Sequence, residues 1–112
     1  MSTIDSEEVR EIAKGEIELY SAWFGRSLNG DTLSSVVSVA QTSGASTLTV
    51  GSGAINTSGA VTVDGKSRDQ STVVQYTLTV PSDATAGEYE VTVTADTSAG
   101  RRRKLRCQLR VV

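Results

Sequence analysis

Two runs decide the fold: Glu88-Tyr89-Glu90-Val91-Thr92-Val93-Thr94-Ala95, and Arg103-Lys104-Leu105-Arg106-Cys107-Gln108-Leu109-Arg110-Val111-Val112 after a turn rich in small residues. In both, every second side chain is apolar, the period of a β-strand with one buried face. Closing a hairpin from Asp96 to Arg102 around Thr97-Ser98-Ala99-Gly100-Arg101 sets Tyr89 opposite Leu109, Val91 opposite Cys107 and Val93 opposite Leu105. The outward face then places Glu88 opposite Arg110 and Asp96 opposite Arg102, with Glu90 diagonal to Arg106 and Arg110. Such opposite charges fix register and discourage edge-to-edge aggregation.

The same period recurs upstream. Glu16-Ile17-Glu18-Leu19-Tyr20-Ser21 alternates polar and apolar, and Ala22-Trp23-Phe24 follows, with Trp23 and Phe24 expected to plug the core. Thr32 to Val39 puts Leu33, Val37 and Val39 on one face. Thr47 to Val50 and Ala60 to Val63 are short strands, and Gln70 to Val80 points Val74, Tyr76, Leu78 and Val80 inward. The pieces between them are rich in Gly, Ser, Asn or Asp. Thr42 to Gly59 reads as loops and an edge strand with hydroxylated outward positions, or as an exposed recognition loop. Seven strands with turns at short intervals predict an all-β, immunoglobulin-like sandwich over residues 16–112.

Residues 1–15 predict a separate N-terminal arm with a short helix over residues 6–14. Asp5 offers an N-cap, Glu8 sits three residues later, Ile4 is spaced to staple onto Val9, and Gly15 ends the helix. Val9, Ile12 and Ala13 supply a narrow apolar stripe, and so short a helix must dock on something to persist. Ile4, Val9 and Ile12 are the candidate contacts, either to the chain's own domain or to a neighbouring subunit.

Composition narrows the chemistry. The chain has 112 residues, with 15 serines, 14 threonines, 10 glycines and one proline, but only 4% aromatic residues. There is no histidine and one cysteine, Cys107, so imidazole-based triads and His/Cys zinc sites have no residues to build on. No catalytic residue, metal or cofactor is expected. Cys107 alternates inward and reads as a small buried hydrophobe rather than a reactive thiol. No stretch is long and apolar enough to cross a bilayer, and Met1 to Ala13 has no signal-peptide pattern, so a soluble, unprocessed chain is expected.

The formal net charge of −2 conceals sorting along the chain. Residues 1–31 hold seven acids and three bases, residues 32–99 six acids and two bases, and residues 100–112 six bases and no acid. Arg101 and Arg103, near the hairpin end with no evident partner, are candidate contacts to an acidic protein. Nucleic acid is not expected, since the aromatic residues interleaved with basic ones that single-strand binding favours are missing.

Leu19-Tyr20-Ser21-Ala22-Trp23-Phe24, Gly30-Asp31-Thr32-Leu33-Ser34-Ser35-Val36, Ala86-Gly87-Glu88-Tyr89-Glu90-Val91-Thr92-Val93 and Ala95-Asp96-Thr97-Ser98-Ala99-Gly100-Arg101 together resemble small immunoglobulin-like virion proteins of tailed bacteriophages. The resemblance covers roughly residues 16–112. The family carries an acidic residue before its Trp and opens on a Lys-Asp-Pro-like turn, where this chain has Ala22 and Lys14-Gly15-Glu16. The resemblance implies a non-enzymatic capsid cement or decoration protein in the virion, assembled in the host cytoplasm. Its partners would be the major capsid protein or other virion subunits, with a homo-oligomer, a trimer foremost, and no membrane. A short head or neck fibre protein and a carbohydrate or cell-surface binding module are the alternative readings.

Overall fold

The computed structural model describes the backbone of residues 2–5, and residues 9–63 and 65–112. The molecule is all-β, and its organising unit is the C-terminal hairpin. Numbered in chain order, the strands are β1 (Ser2–Asp5), β2 (Arg10–Ile12), β3 (Ile17–Trp23), β4 (Leu33–Ser43), β5 (Thr49–Val50), β6 (Ala54–Ile55), β7 (Val61–Val63), β8 (Lys66–Arg68), β9 (Val73–Thr79), β10 (Gly87–Thr97) and β11 (Arg102–Val111). One helical turn, α1 (Gly25–Leu28), follows β3.

β10 and β11 pair antiparallel in the register read from the sequence, with Tyr89 opposite Leu109, Val91 opposite Cys107 and Val93 opposite Leu105. β4 joins the other side of β10, completing with β1 and β2 a five-stranded sheet. A four-stranded sheet is built on β9, flanked by β3 on one side and by the two-residue strands β5 and β6 on the other. The core is filled from both sheets: Tyr20, Ala22, Val74, Tyr76 and Leu78 from the second meet Leu33, Tyr89, Val91, Val93, Ala95, Leu105, Leu109 and Val111 from the first. Phe24, just past β3, is wholly buried among them, as a core plug should be.

The N-terminal segment departs from expectation. Of residues 6–14, those the structure describes are not helical, and residues 10–12 form β2, parallel to β11, with Arg10 opposite Leu109 and Ile12 opposite Val111. β1 lies parallel to the same strand further back, with Ile4 opposite Leu105; residues 6–8 and the side chain of Ile4 lie outside the described residues. A nine-residue helix is marginal by itself, whereas the open edge of β11 offers a ladder of backbone partners, and Arg10-Glu11-Ile12 fits that ladder with Ile12 buried. Gly15, at φ +83°, turns the chain into β3 instead of capping a helix.

Two further corrections concern which face a side chain takes. In β3 the inward residues are Tyr20 and Ala22, leaving Ile17 and Leu19 outside at 68% and 59% exposure. Tyr20, Ala22 and then Phe24 occupy the parity that faces the core, and a strand can bury only one parity there, so Ile17 and Leu19 go outside with Trp23. In β4 Val37 was expected inward but is exposed, while Val36 packs against the core. The cause is a bulge: Thr94 pairs with Ser38 and Ala95 with Val36, skipping Val37. Similar shifts skip Thr42 and Ser34.

Candidate interaction surfaces

β10 and β11, of 11 and 10 residues, extend about 33–36 Å at the usual strand rise. Only the 42 Å axis of the 42 × 27 × 21 Å molecule accommodates them, so the strands run along its length. The β10–β11 turn, α1 and the Asn29-Gly30-Asp31 turn therefore share one end, and the β2–β3 turn and the Pro81–Ala86 loop share the other.

The hairpin end is tightly lashed. Asp31 accepts from the Thr32 backbone N–H at 2.8 Å and from the Ala99 N–H at 3.2 Å. The Ser98 N–H donates to the Thr32 carbonyl at 2.8 Å, and the hydroxyls of Thr32 and Ser98 bond at 2.7 Å. Its surroundings hold the Asp31 carboxyl below the usual carboxylate range, the Thr32 N–H contributing most and the Thr97 side chain next, with the Ala99 N–H and the Arg101 charge adding to them. Arg101 is exposed on this fixed mount. Its neighbour Arg102 is bound to Asp96, Nε to Oδ1 at 2.8 Å and Nη2 to Oδ2 at 3.2 Å. Arg103 turns the other way: Nε donates to the Ser27 carbonyl of α1 at 3.1 Å and Nη1 to the Arg102 carbonyl at 3.2 Å. Arg103 is thus a fastener for α1, so of the two candidate arginines Arg101 is the one presented outward.

Along the outer face of the hairpin the two directly opposed pairs form, while Glu90 takes uncharged hydrogen-bond partners, with Arg106 a nearby charge. Glu88 accepts from Arg110 Nε at 2.9 Å, with Glu11 4.0 Å from Arg110 Nη1. Glu90 bonds the Gln108 amide at 2.8 Å and the Thr42 hydroxyl at 2.6 Å, and these bonds, Thr42 foremost, lower its pKa. Much of the C-terminal positive charge is therefore spent within the sheet.

The three apolar arm candidates separate. Ile12 is buried in the chain's own core at 3% exposure, Val9 is exposed just ahead of β2, and Ile4 is placed only through its backbone on β11. Ile12 cannot serve a neighbouring subunit while it sits there.

Trp23, expected in the core, lies instead on the outer face of the four-stranded sheet and is half-buried. The Arg68 guanidinium stacks over its ring at 3.5 Å, and Gly25 lies so close that a Cβ there would collide with the indole. Val63 and Val73 complete this satellite cluster beneath the β7–β8 hairpin. Beside it runs a cleft of about 420 Å³, lined in part by Asp31, Thr32, Arg68, Asp69 and Gln70. Trp23 itself lines this cleft, with Arg68 over one side of its ring and Gly25 against it.

A polar seam crosses the core where β2 approaches β3. Arg10 lies over the Tyr20 ring at 5.7 Å, Tyr20 and Tyr76 meet at 6.0 Å between centroids, and Cys107 lies close enough to the Tyr76 hydroxyl to help raise its pKa. Burial pushes both tyrosine pKa values up. Cys107 is half-buried against the core, close to the small-hydrophobe role expected, though with a polar partner as well.

No known protein-family model matches this chain, and no curated protein is significantly similar to it.

The residues that the sequence did not single out are Ile17 and Leu19. Their signal was present as the competition between two parities in β3, since Tyr20, Ala22 and Phe24 also alternate.

Proposed function

We propose that this chain is a non-enzymatic structural subunit of a tailed-bacteriophage virion, a capsid cement or decoration protein of immunoglobulin-like fold that binds the head shell by surface complementarity. The fold part of the reading is supported by strand order. β11–β10–β4 follows the G–F–C order of an immunoglobulin sheet, and β3–β9–β5 follows B–E–D of its partner sheet. It is supported too by Tyr89, at the start of the penultimate strand, whose hydroxyl reaches back to the Thr85 carbonyl at 2.6 Å, the arrangement of a tyrosine corner.

The observation that carries the contact role is Arg101, exposed at the tip of a hairpin pinned to the Asp31 turn. A charged side chain on a rigid mount meets a partner with little ordering cost. The partner would be an acidic surface of the major capsid protein or another virion subunit, and the chain would act as a homo-oligomer.

Mass spectrometry of gradient-banded virions tests the assignment. Peptides of this chain should band with the particles, and their absence overturns the virion reading. In particles assembled with Arg101→Glu the subunit should be depleted, and undiminished incorporation removes the hairpin tip as the contact.

A further inference from the structure

The cleft beside Trp23 is lined by two segments far apart in the sequence, the Asp31 turn and the stretch from β8 to β9, and both are tied down. The Asp31 turn is bonded to Ser98 and Ala99 of the β10–β11 turn. The other segment reaches β9 through Ser71, a residue with a side chain at φ +63°. That left-handed conformation costs on the order of 1 kcal/mol. It is held because the Ser71 N–H donates to the Asn56 carbonyl at 2.7 Å and the Ser71 carbonyl accepts from the Leu33 N–H at 2.8 Å. The Thr72 hydroxyl donates to the Asp69 carbonyl at 2.6 Å, closing the same turn. Gly25 and Gly30 add no side chains to fill the space, and its volume of about 420 Å³ falls among those of small-molecule sites. A concave surface fixed in this way takes up a ligand with little ordering cost.

The lining selects the ligand. Asp31 is already bonded within the chain through both carboxylate oxygens, and the Arg68 guanidinium is seated on the Trp23 ring. Two carboxylates beside one guanidinium disfavour an anion. With Asp31 satisfied and Arg68 a fixed positive charge in the same cleft, a cation gains little either. What the cleft offers is the exposed side chains of Ser67, Asp69 and Gln70, which are bonded to no other described residue. A hydroxyl, a carboxylate and a carboxamide beside an indole match a neutral ring that carries several hydroxyls on its rim and C–H groups on its face.

We propose that this cleft is a saccharide-binding site, in which a neutral sugar ring lies against the part of the Trp23 indole that lines it and bonds through its hydroxyls to Ser67, Asp69 and Gln70. The site stands on the cleft alone and is independent of the virion assignment.

Trp23 is the only tryptophan in the chain, so its fluorescence reports the cleft directly. Titration of the full chain with D-glucose, D-galactose and N-acetyl-D-glucosamine tests the proposal. At least one of these sugars should shift the emission saturably, with amide NMR shifts concentrated at residues 23–32 and 67–72. Asp69→Ala and Gln70→Ala alter exposed side chains, so each should keep the thermal transition and weaken binding about tenfold. If none of the sugars gives a saturable shift, the proposal is overturned. It is overturned equally by NMR shifts centred elsewhere, by binding that both variants leave undiminished, or by an equal response to sodium phosphate or arginine, which would make the ligand a charged one.

Discussion

The Tyr89 hydroxyl donates to the Thr85 carbonyl oxygen, 2.6 Å away and four residues earlier in the chain, and in turn accepts from the Ser46 N–H at 3.2 Å. One buried side chain thereby ties the entry of β10 to the loop that follows β4. Gly44 makes room for the ring: its φ of +133° lies outside the range of ordinary residues, and a Cβ there would strike Tyr89.

Tyr89→Phe keeps the ring and removes both bonds, so it should destabilise the domain by about 1–2 kcal/mol. Gly44→Ala adds backbone strain to a collision and should cost more than Tyr89→Phe. Chemical denaturation of the two variants checks the order; a Gly44→Ala protein as stable as wild type would contradict the packing described.

Arg103 and Arg101 should behave oppositely although they are two residues apart. Arg103→Met keeps the aliphatic stem but strands the Ser27 carbonyl, with an expected loss of about 1–2 kcal/mol. Arg101→Glu should leave the thermal transition nearly unchanged, since its side chain is exposed. Equal effects in thermal melts would refute the division of roles.

The Tyr76–Cys107 contact links the two sheets through polar atoms. Tyr76→Phe and Cys107→Val each break it, and the double variant should lose less than the sum of the singles, with a coupling of about 0.5–1 kcal/mol. Strict additivity in a double-mutant cycle would show that the contact contributes nothing.

Asp31, Glu90 and Asp96 all have lowered pKa values, Asp96 chiefly through its bonds to Arg102. A carboxyl whose folded pKa lies below its unfolded one contributes stability at higher pH and loses it as pH falls through the folded value. With no histidine in the chain, the melting temperature should be flat between about pH 6 and 8 and fall below about pH 4.5. Asn at all three positions should flatten the acid limb; an unaltered limb would place the pH dependence elsewhere.

The β10–β11 hairpin was legible down to its residue pairs because turn, alternation and cross-strand charge agree there. β9 was legible for the same reason, with Val74, Tyr76, Leu78 and Val80 all buried. Where signals compete, the outcome depends on tertiary partners. Asp5 to Gly15 carries helix-capping residues, but the backbone of Arg10 to Ile12 was claimed by the edge of β11, which no local pattern announces. Val37 changed faces through a bulge set by β10, and Trp23 left the core because Arg68 and the β7–β8 hairpin provide a second shelter for it. The hairpin's charged pairs could be read from the sequence, but the commitment of Arg103 to Ser27 could not, since it depends on where α1 comes to rest.

The pairing of Ser2 with Arg103 spans nearly the whole chain. The two ends of the chain are thus tied to each other through one strand, and without β1 and β2 the ten residues of β11 would present a row of unpaired backbone groups along an open edge.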